Sequence, residues 1–368
     1  MGRRIVILNW MDPINPSSGG AERYCYEMGK RLAKNNYEVF WISRKFRNGT
    51  TFEKLDNIQI IRVGNRFTVY LLALIKTHFL NPDWIFDSIN AIPFFTPFLR
   101  NSNKFAMVHH IIPKEVIKSK IGPLSLIAEF VQFKLVPVLY RNTVTFANSD
   151  STEHELKHLG FKRIQSTRLG VEIPEKAEPE IKENIILAPG ALRPWKRPDH
   201  IIRAFSKLNI ESKLILFGRP ESERLVSDLE NLVKSLSVSD KVQIKTNITE
   251  NEKMALYRSS KLAVIASEKE GWGFSAIEPQ AYGCPVIAYD VPGIRDSVLN
   301  NKTGILVKNG DIDDLSKTIA EVMEKEIFYN ALSKNALSWA KSLSWENSYN
   351  DFLNTMQSLS RSGDSLML

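Results

Sequence analysis

Short apolar runs alternate with longer amphipathic stretches along almost the whole chain. Residues 5–8, 38–43, 59–63, 84–87 and 105–108 form one series of runs, and 185–188, 214–217, 242–245, 262–266 and 286–288 form a second. The run Leu262-Ala-Val-Ile-Ala266 is unbroken, small and β-branched, which suits a strand covered on both faces of a parallel sheet. The segments between repeat at helical spacing: Tyr24, Met28 and Leu32 share one face, and Leu315, Ile319 and Val322 share another. Strand-helix alternation of this kind predicts a doubly wound α/β fold. At 368 residues the chain is too long for one ordinary core. The Pro-, Glu- and Lys-rich residues 170–184 mark a linker, which gives domains at 1–170 and 171–345 and a last helix at 346–360.

Hydrophobic residues at 43% and charged residues at 24% are the balance of a folded, soluble domain. Cys25 and Cys284 have no metal spacing and read as reduced packing residues of a cytosolic protein. Gly2-Arg-Arg4 leads straight into a strand-length run, so no secretory signal is read there and a cytoplasmic location is expected. The net charge of +8 favours an anionic partner: a nucleotide, a phospholipid surface or a nucleic acid. The basic residues are scattered without interleaved aromatics, which argues against nucleic acid.

The candidate chemistry centres on residues 261–292. Gly271 and Gly273 let backbone amides approach a ligand closely, and the helix opening near Phe274 aims its positive end at the same place. Glu270 and Glu278 bracket that helix start. One can accept hydrogen bonds from hydroxyls near the strand end and the other from hydroxyls farther along, as a sugar joined to a nucleotide by a diphosphate requires. A second glycine pair, Gly19-Gly20, meets the start of another helix and offers amides to a phosphate or a hydroxylated ligand. It is neither Gly-x-Gly-x-x-Gly nor a Lys-Ser/Thr phosphate loop, which counts against nicotinamide enzymes and P-loop ATPases. After the strand at 185–188, Arg193, Lys196 and Arg197 place cations where a diphosphate leaving group could be neutralised without magnesium.

Three further patterns carry alternative chemistry. His154-Glu155-Leu-Lys-His158 matches the zinc-protease spacing, but charged Lys157 and the exposed cap 148–152 argue for a solvated helix. Asp311-Ile-Asp313-Asp314 directly precedes a helix and reads as its cap rather than a metal motif. Residues 121–140 and 71–75 are apolar, with Pro123, Pro137, Glu129 and Lys134 interrupting the longer stretch, so no membrane span is expected. Core helices with solvated lysines are the favoured reading, and a resting place on an anionic bilayer, helped by Lys76, Lys114, Lys118 and Lys120, is the other.

Glu270 and Glu278 with seven residues between them, the Gly283-x-Pro285-Val-Ile strand entry, the Pro292-Gly293 turn and the Gly19-Gly20-Ala-Glu22 start together resemble the retaining glycosyltransferases of the GT-B fold, family 4. The resemblance covers both halves of the chain in order. It implies two facing Rossmann-like domains with an interdomain cleft, the last helix packing back on the first domain, and a nucleoside diphosphate sugar donor. It implies that Glu278 holds the ribose and that Glu270, with the backbone of Gly271, Trp272, Gly273 and Phe274, orients the sugar. Lys196 would stabilise the departing diphosphate. Ala191 stands where the family has an arginine, and Arg193 is the substitute. His109, with His110 in reserve, would contact the donor sugar near the reacting carbon, and Gly19 and Gly20 would border donor and acceptor. No metal or other cofactor is implied. The expected acceptor is a sugar or lipid-linked hydroxyl in surface polysaccharide, glycolipid or lipid-linked saccharide synthesis, at the cytoplasmic membrane face. An epimerase or phosphorylase of the same fold is the nearest alternative.

Overall fold

The computed structural model describes residues 3–364 except 91, 100–101, 113, 115–116, 119–124 and 175–181, and for 360–364 the backbone alone. Its chain divides into two compact units, Met1–Gly170 with Trp345–Leu368, and Val171–Ser344. Much of the expected linker, residues 175–181, lies outside the described residues, as do 121–124 of the longer apolar stretch and Lys120.

The first unit holds β1 (Arg4–Leu8), β2 (Glu38–Arg44), β3 (Phe52–Leu55), β4 (Ile58–Val63), β5 (Trp84–Ile89), β6 (Asn103–Val108), β7 (Val144–Ala147) and β8 (Ile164–Ser166). They lie in the order β3-β4-β2-β1-β5-β6-β7-β8, with β3 antiparallel to β4 and the other pairs parallel. The fully buried Ile5–Leu8 run sits at the centre, as a strand covered on both faces must. One face of the sheet packs Val6, Leu8 and Ile85 under the helix Val69–Leu80. On the other face, Phe86, Phe105 and Phe146 meet Phe352 of the last helix, Trp345–Asp364, at ring separations of 5.4, 5.0 and 5.8 Å. That helix therefore belongs to the core of the first unit, and removing a buried ring such as Phe352 costs about 3–5 kcal/mol. Its backbone stays helical to Asp364 rather than fraying after Ser360; residues 365–368 are outside the described set.

In the second unit β9 (Glu183–Pro189), β10 (Lys213–Phe217), β11 (Val242–Lys245), β12 (Ser260–Ile265), β13 (Val286–Tyr289) and β14 (Gly304–Val307) run parallel in the order β11-β10-β9-β12-β13-β14. From β9 the chain winds to one side through β10 and β11, and from β12 to the other through β13 and β14. The crevice at the carboxyl ends of β9 and β12 is thus a topological switch point, the place where doubly wound sheets take ligands.

The structure departs from the favoured core reading of the two apolar stretches. The helix Val69–Leu80 buries only Val69, Ala73 and Thr77 and leaves Leu71, Leu72, Ile75 and Phe79 exposed. Leu126, Ile127, Phe130 and Val138 are likewise exposed on the segment from Ser125 to Leu139.

Candidate active site

Two loops meet at the switch point of the second unit. After β9 the chain turns through Gly190 into a 3-10 turn, Pro194–Lys196, and then the helix Pro198–Ser206. After β12 it runs through Ser267 and Glu270 to the helix Phe274–Gln280. The loops are tied by the Glu268 amide donating to the Trp195 carbonyl at 2.9 Å and by Arg197 pairing with Glu268 at 3.1 Å. Lys196 Nζ donates to Glu270 Oε1, and Ser267 Oγ donates to the same oxygen at 2.8 Å. The Glu270 amide in turn donates to the Pro292 carbonyl at 3.1 Å. Gly293 makes that approach possible: a Cβ there would lie 2.2 Å from the Glu270 carbonyl oxygen, and its φ of +82° is in the left-handed region. A hollow of about 20 Å³, lined by Gly190, Ala191, Lys196 and Ser267 among others, opens between the loops. Larger hollows of about 380 and 550 Å³ lie along the outer helices, the second bordering the same loop at Pro194 and Pro198.

Glu278 lies in the short helix that follows. Tyr257 Oη donates to its Oε2 at 3.0 Å, and Lys253 Nζ stands 3.6 Å from the same oxygen. Both partners come from the helix Glu250–Ser259, which leads into β12. Sequence reading missed them because the contact is between helices, with no local motif. The helix Phe274–Gln280 has seven residues, so its dipole is modest and more of the charge on an anionic ligand would fall to Lys196. Trp272 is buried in the loop, and its indole Nε1 has no partner among the described residues. Such a donor is costly until a water or ligand oxygen meets it. Arg193 takes a different place from Lys196: its guanidinium lies over the Trp195 ring at 5.1 Å, and the ion pair with Glu270 is made by Lys196.

In the first unit one amide of the Gly19-Gly20 helix start is already engaged. The Gly19 amide donates to Glu22 Oε2 at 2.8 Å, so a carboxylate from within the helix Gly20–Lys34 already caps this start. The loop before it is fixed by a wholly buried pair: Arg62 Nε and Nη2 each donate to Asp12 at 2.8 Å, and Ser43 Oγ donates to Asp12 at 2.9 Å.

His109 sits one residue past the end of β6 and is buried, whereas His110 is half-buried. Nε2 of His109 shares a hydrogen bond with Ser88 Oγ at 2.8 Å, and its carbonyl accepts from Asn148 Nδ2 at 2.8 Å. Its ring packs edge-on to Tyr24 at 6.4 Å. Burial, helped by His110, pushes the imidazole pKa down to about 3, so His109 is neutral near pH 7.

The zinc-like motif has its own partners: His158 Nδ1 is 2.8 Å from the His154 carbonyl. Among the described residues no three His, Cys, Asp or Glu side chains gather as a metal site. Asp311 caps the helix Ile312–Glu324, accepting from the Asp314 amide at 2.9 Å.

Comparison with known proteins gives the same architecture and a family. Residues 18–173 match Glycosyltransferase Family 4, and residues 172–339 match Glycosyl transferases group 1. A D-inositol 3-phosphate glycosyltransferase from Streptosporangium roseum is 30% identical over 171 residues, covering 44% of this chain and 39% of that protein. The Mycobacteroides abscessus enzyme of the same name is 26% identical over 216 residues, covering 58% and 48%. These curated relatives are thus matched over less than half their own length. Among solved structures, sucrose-phosphate synthase from Thermosynechococcus elongatus superposes with a TM-score of 0.82 at 18% identity, covering 98% of this chain and 100% of that one. Anabaena Alr3699/HepE in complex with UDP and glucose gives 0.78 at 15%, covering 97% and 100%. At such identities the likeness shows the fold alone, which is GT-B. With both halves matched in order by the two family domains, the chain belongs to the family 4 glycosyltransferases.

Proposed function

We propose that the protein transfers a sugar from a nucleoside diphosphate sugar to an acceptor hydroxyl with retention at the anomeric carbon. The observation that carries this reading is the Lys196–Glu270 pair at the β9/β12 switch point, with Glu278 a short helix away. Lys196 gives up Glu270 to neutralise the diphosphate, whose charge grows as the bond to the sugar breaks. Glu270, still held by Ser267, and the backbone of residues 271–274 accept and direct the sugar hydroxyls. Glu278, steadied by Tyr257, accepts from the ribose. Arg193 remains a candidate for the outer phosphate, and neutral His109 for a hydrogen bond to the sugar.

In the step we favour, the bond from the anomeric carbon to the phosphate oxygen breaks as the acceptor oxygen bonds to the same face. The acceptor proton passes to the departing phosphate. The protein's fixed cation supplies the neutralising charge, so we propose that a divalent metal is not needed. A UDP-sugar is the first donor to try, since a fold relative was solved with UDP-glucose. The acceptor we propose is a saccharide or lipid-linked hydroxyl of surface polysaccharide or glycolipid synthesis, at the cytoplasmic side of the membrane, where the two buried free thiols would stay reduced.

Nucleoside diphosphate release from a UDP-, GDP- or ADP-sugar, measured with and without a saccharide acceptor and with a chelator, tests the reading. Acceptor-dependent release that survives chelation supports it. Donor interconversion without acceptor would point to an epimerase, and dependence on inorganic phosphate to a phosphorylase.

A further inference from the structure

On the face of the first sheet away from the last helix, three segments lie side by side and leave large apolar side chains uncovered. The helix Val69–Leu80 exposes Leu71 at 65% and Phe79 at 79%. Phe98, 68% exposed, projects from the 3-10 turn Thr96–Phe98. The helical segment from Ser125 to Leu139 exposes Leu126 at 72% and Val138 at 75%.

All three are anchored to the same side of the sheet. Tyr70 packs on Phe94 at 5.3 Å, the Phe94 amide donates to Asp87 at 3.2 Å, and Thr96 Oγ1 donates to Asp87 at 3.0 Å. Tyr140, just after the third segment, donates to the same carboxylate. Asp87 thus pins the turn and both helices together at their buried ends, so their outward residues share one surface. Rows of exposed Leu, Ile and Phe on adjacent elements exceed the scattered apolar residues of an ordinary surface.

The charge on this surface is one-sided. Residues 64–80 contain Arg66 and Lys76 and no acid; residues 125–141 contain Lys134 and Arg141 against Glu129 alone. Arg66, Lys76, Lys134 and Arg141 are all exposed, and the Arg66 guanidinium lies over exposed Phe67 at 4.7 Å. A second copy docked face to face would set these cations against their own images. An anionic bilayer accepts both features, taking the apolar side chains below the headgroups while lysine and arginine stems reach up to the phosphates. The helix Val69–Leu80 has 12 residues, enough to lie in the interface and too few to cross.

We propose that this three-segment face is a docking surface for an anionic lipid bilayer, with Leu71, Phe79, Phe98 and Val138 inserting and Lys76 and Lys134 meeting headgroup phosphates. The inference does not depend on the transfer reaction, so vesicle binding and sugar transfer can fail separately. The test is co-sedimentation of the full chain with phosphatidylcholine vesicles, with and without phosphatidylglycerol, alongside light scattering for oligomeric state. Binding to the anionic vesicles, weakened by salt and by at least about fivefold in Lys76→Glu and Lys134→Glu, is the expected result. Leu71→Ser with Phe79→Ser should release the protein while leaving its melting temperature unchanged, since both positions face solvent. Failure to bind anionic vesicles would overturn the proposal. So would equal binding by all variants, or a dimer or protein complex that the Leu71→Ser change disrupts.

Discussion

Lys196 and Glu270 form an ion pair that joins the loop after β9 to the loop after β12, directly over the switch point of the second sheet. Both side chains are largely shielded, 23% and 14% exposed, so the pair sits in a medium where charge acts strongly. The shared Glu270 oxygen leaves the ammonium preformed at the place where a diphosphate would need it.

Lys196→Ala should lower sugar-transfer turnover by about 10²–10³-fold, the usual cost of losing a preorganised charge at a reacting centre. Ser267 continues to hold Glu270 in this variant, so a single cooperative melt should persist. Near-normal transfer would remove Lys196 from the site.

Tyr257→Phe removes the hydroxyl that steadies Glu278 and keeps the ring that packs against Phe217 at 5.7 Å. With a net hydrogen-bond value of ~1 kcal/mol, the KM for donor should rise about fivefold while kcat changes little. A fall in kcat at constant KM would assign Tyr257 to the chemistry instead of to ribose positioning.

Arg62→Met leaves the Asp12 carboxylate buried with two neutral donors, the Ser43 hydroxyl at 2.9 Å and the Ile14 amide at 3.1 Å. Breaking one side of a buried pair costs about 3–5 kcal/mol, which denaturant unfolding will show. A loss below about 1 kcal/mol would mean that the loop relaxes to admit water.

His109 makes stability depend on pH with a definite sign. Its folded pKa, about 3, lies below the unfolded value of ~6.5, so its contribution is fully present above ~6.5 and is lost as pH falls toward 3. The slope from this group approaches ~1.4 kcal/mol per pH unit. Asp87 works oppositely: burial raises its pKa to about 6, so its contribution grows as pH falls from 6 toward 3.8. The comparison must therefore be between wild type and His109→Gln. The difference in unfolding free energy should shrink steadily from pH 7 to pH 4, and parallel curves would contradict the assignment.

The parts of this fold that could be read from sequence were those whose physics is local. Apolar runs such as Leu262–Ala266 gave buried parallel strands, and Asp311 before a helix gave a cap. The Gly271 loop and the cations at 193–197 were also legible, and the structure brings those two loops together. Edge strands were harder: β3, Phe-Glu-Lys-Leu, is half polar and partly exposed, so it carries little apolar signal. Contacts between distant segments left no mark, as with Tyr257 on Glu278 or Asp12 on Arg62. The bond from the Gly19 amide to Glu22 is local, three residues apart in sequence. Exposure of the helix Val69–Leu80 was the less favoured of two readings because a helix apolar all round is ordinarily a buried one.

Titration calorimetry of the full chain with UDP-, GDP- and ADP-sugars tests the central claim most directly. The account predicts that at least one donor binds, and that Lys196→Ala and Glu278→Ala each weaken it at least about tenfold, the loss of a charge-assisted contact. Absence of binding across the panel, or equal affinity in both variants and the wild type, would contradict it.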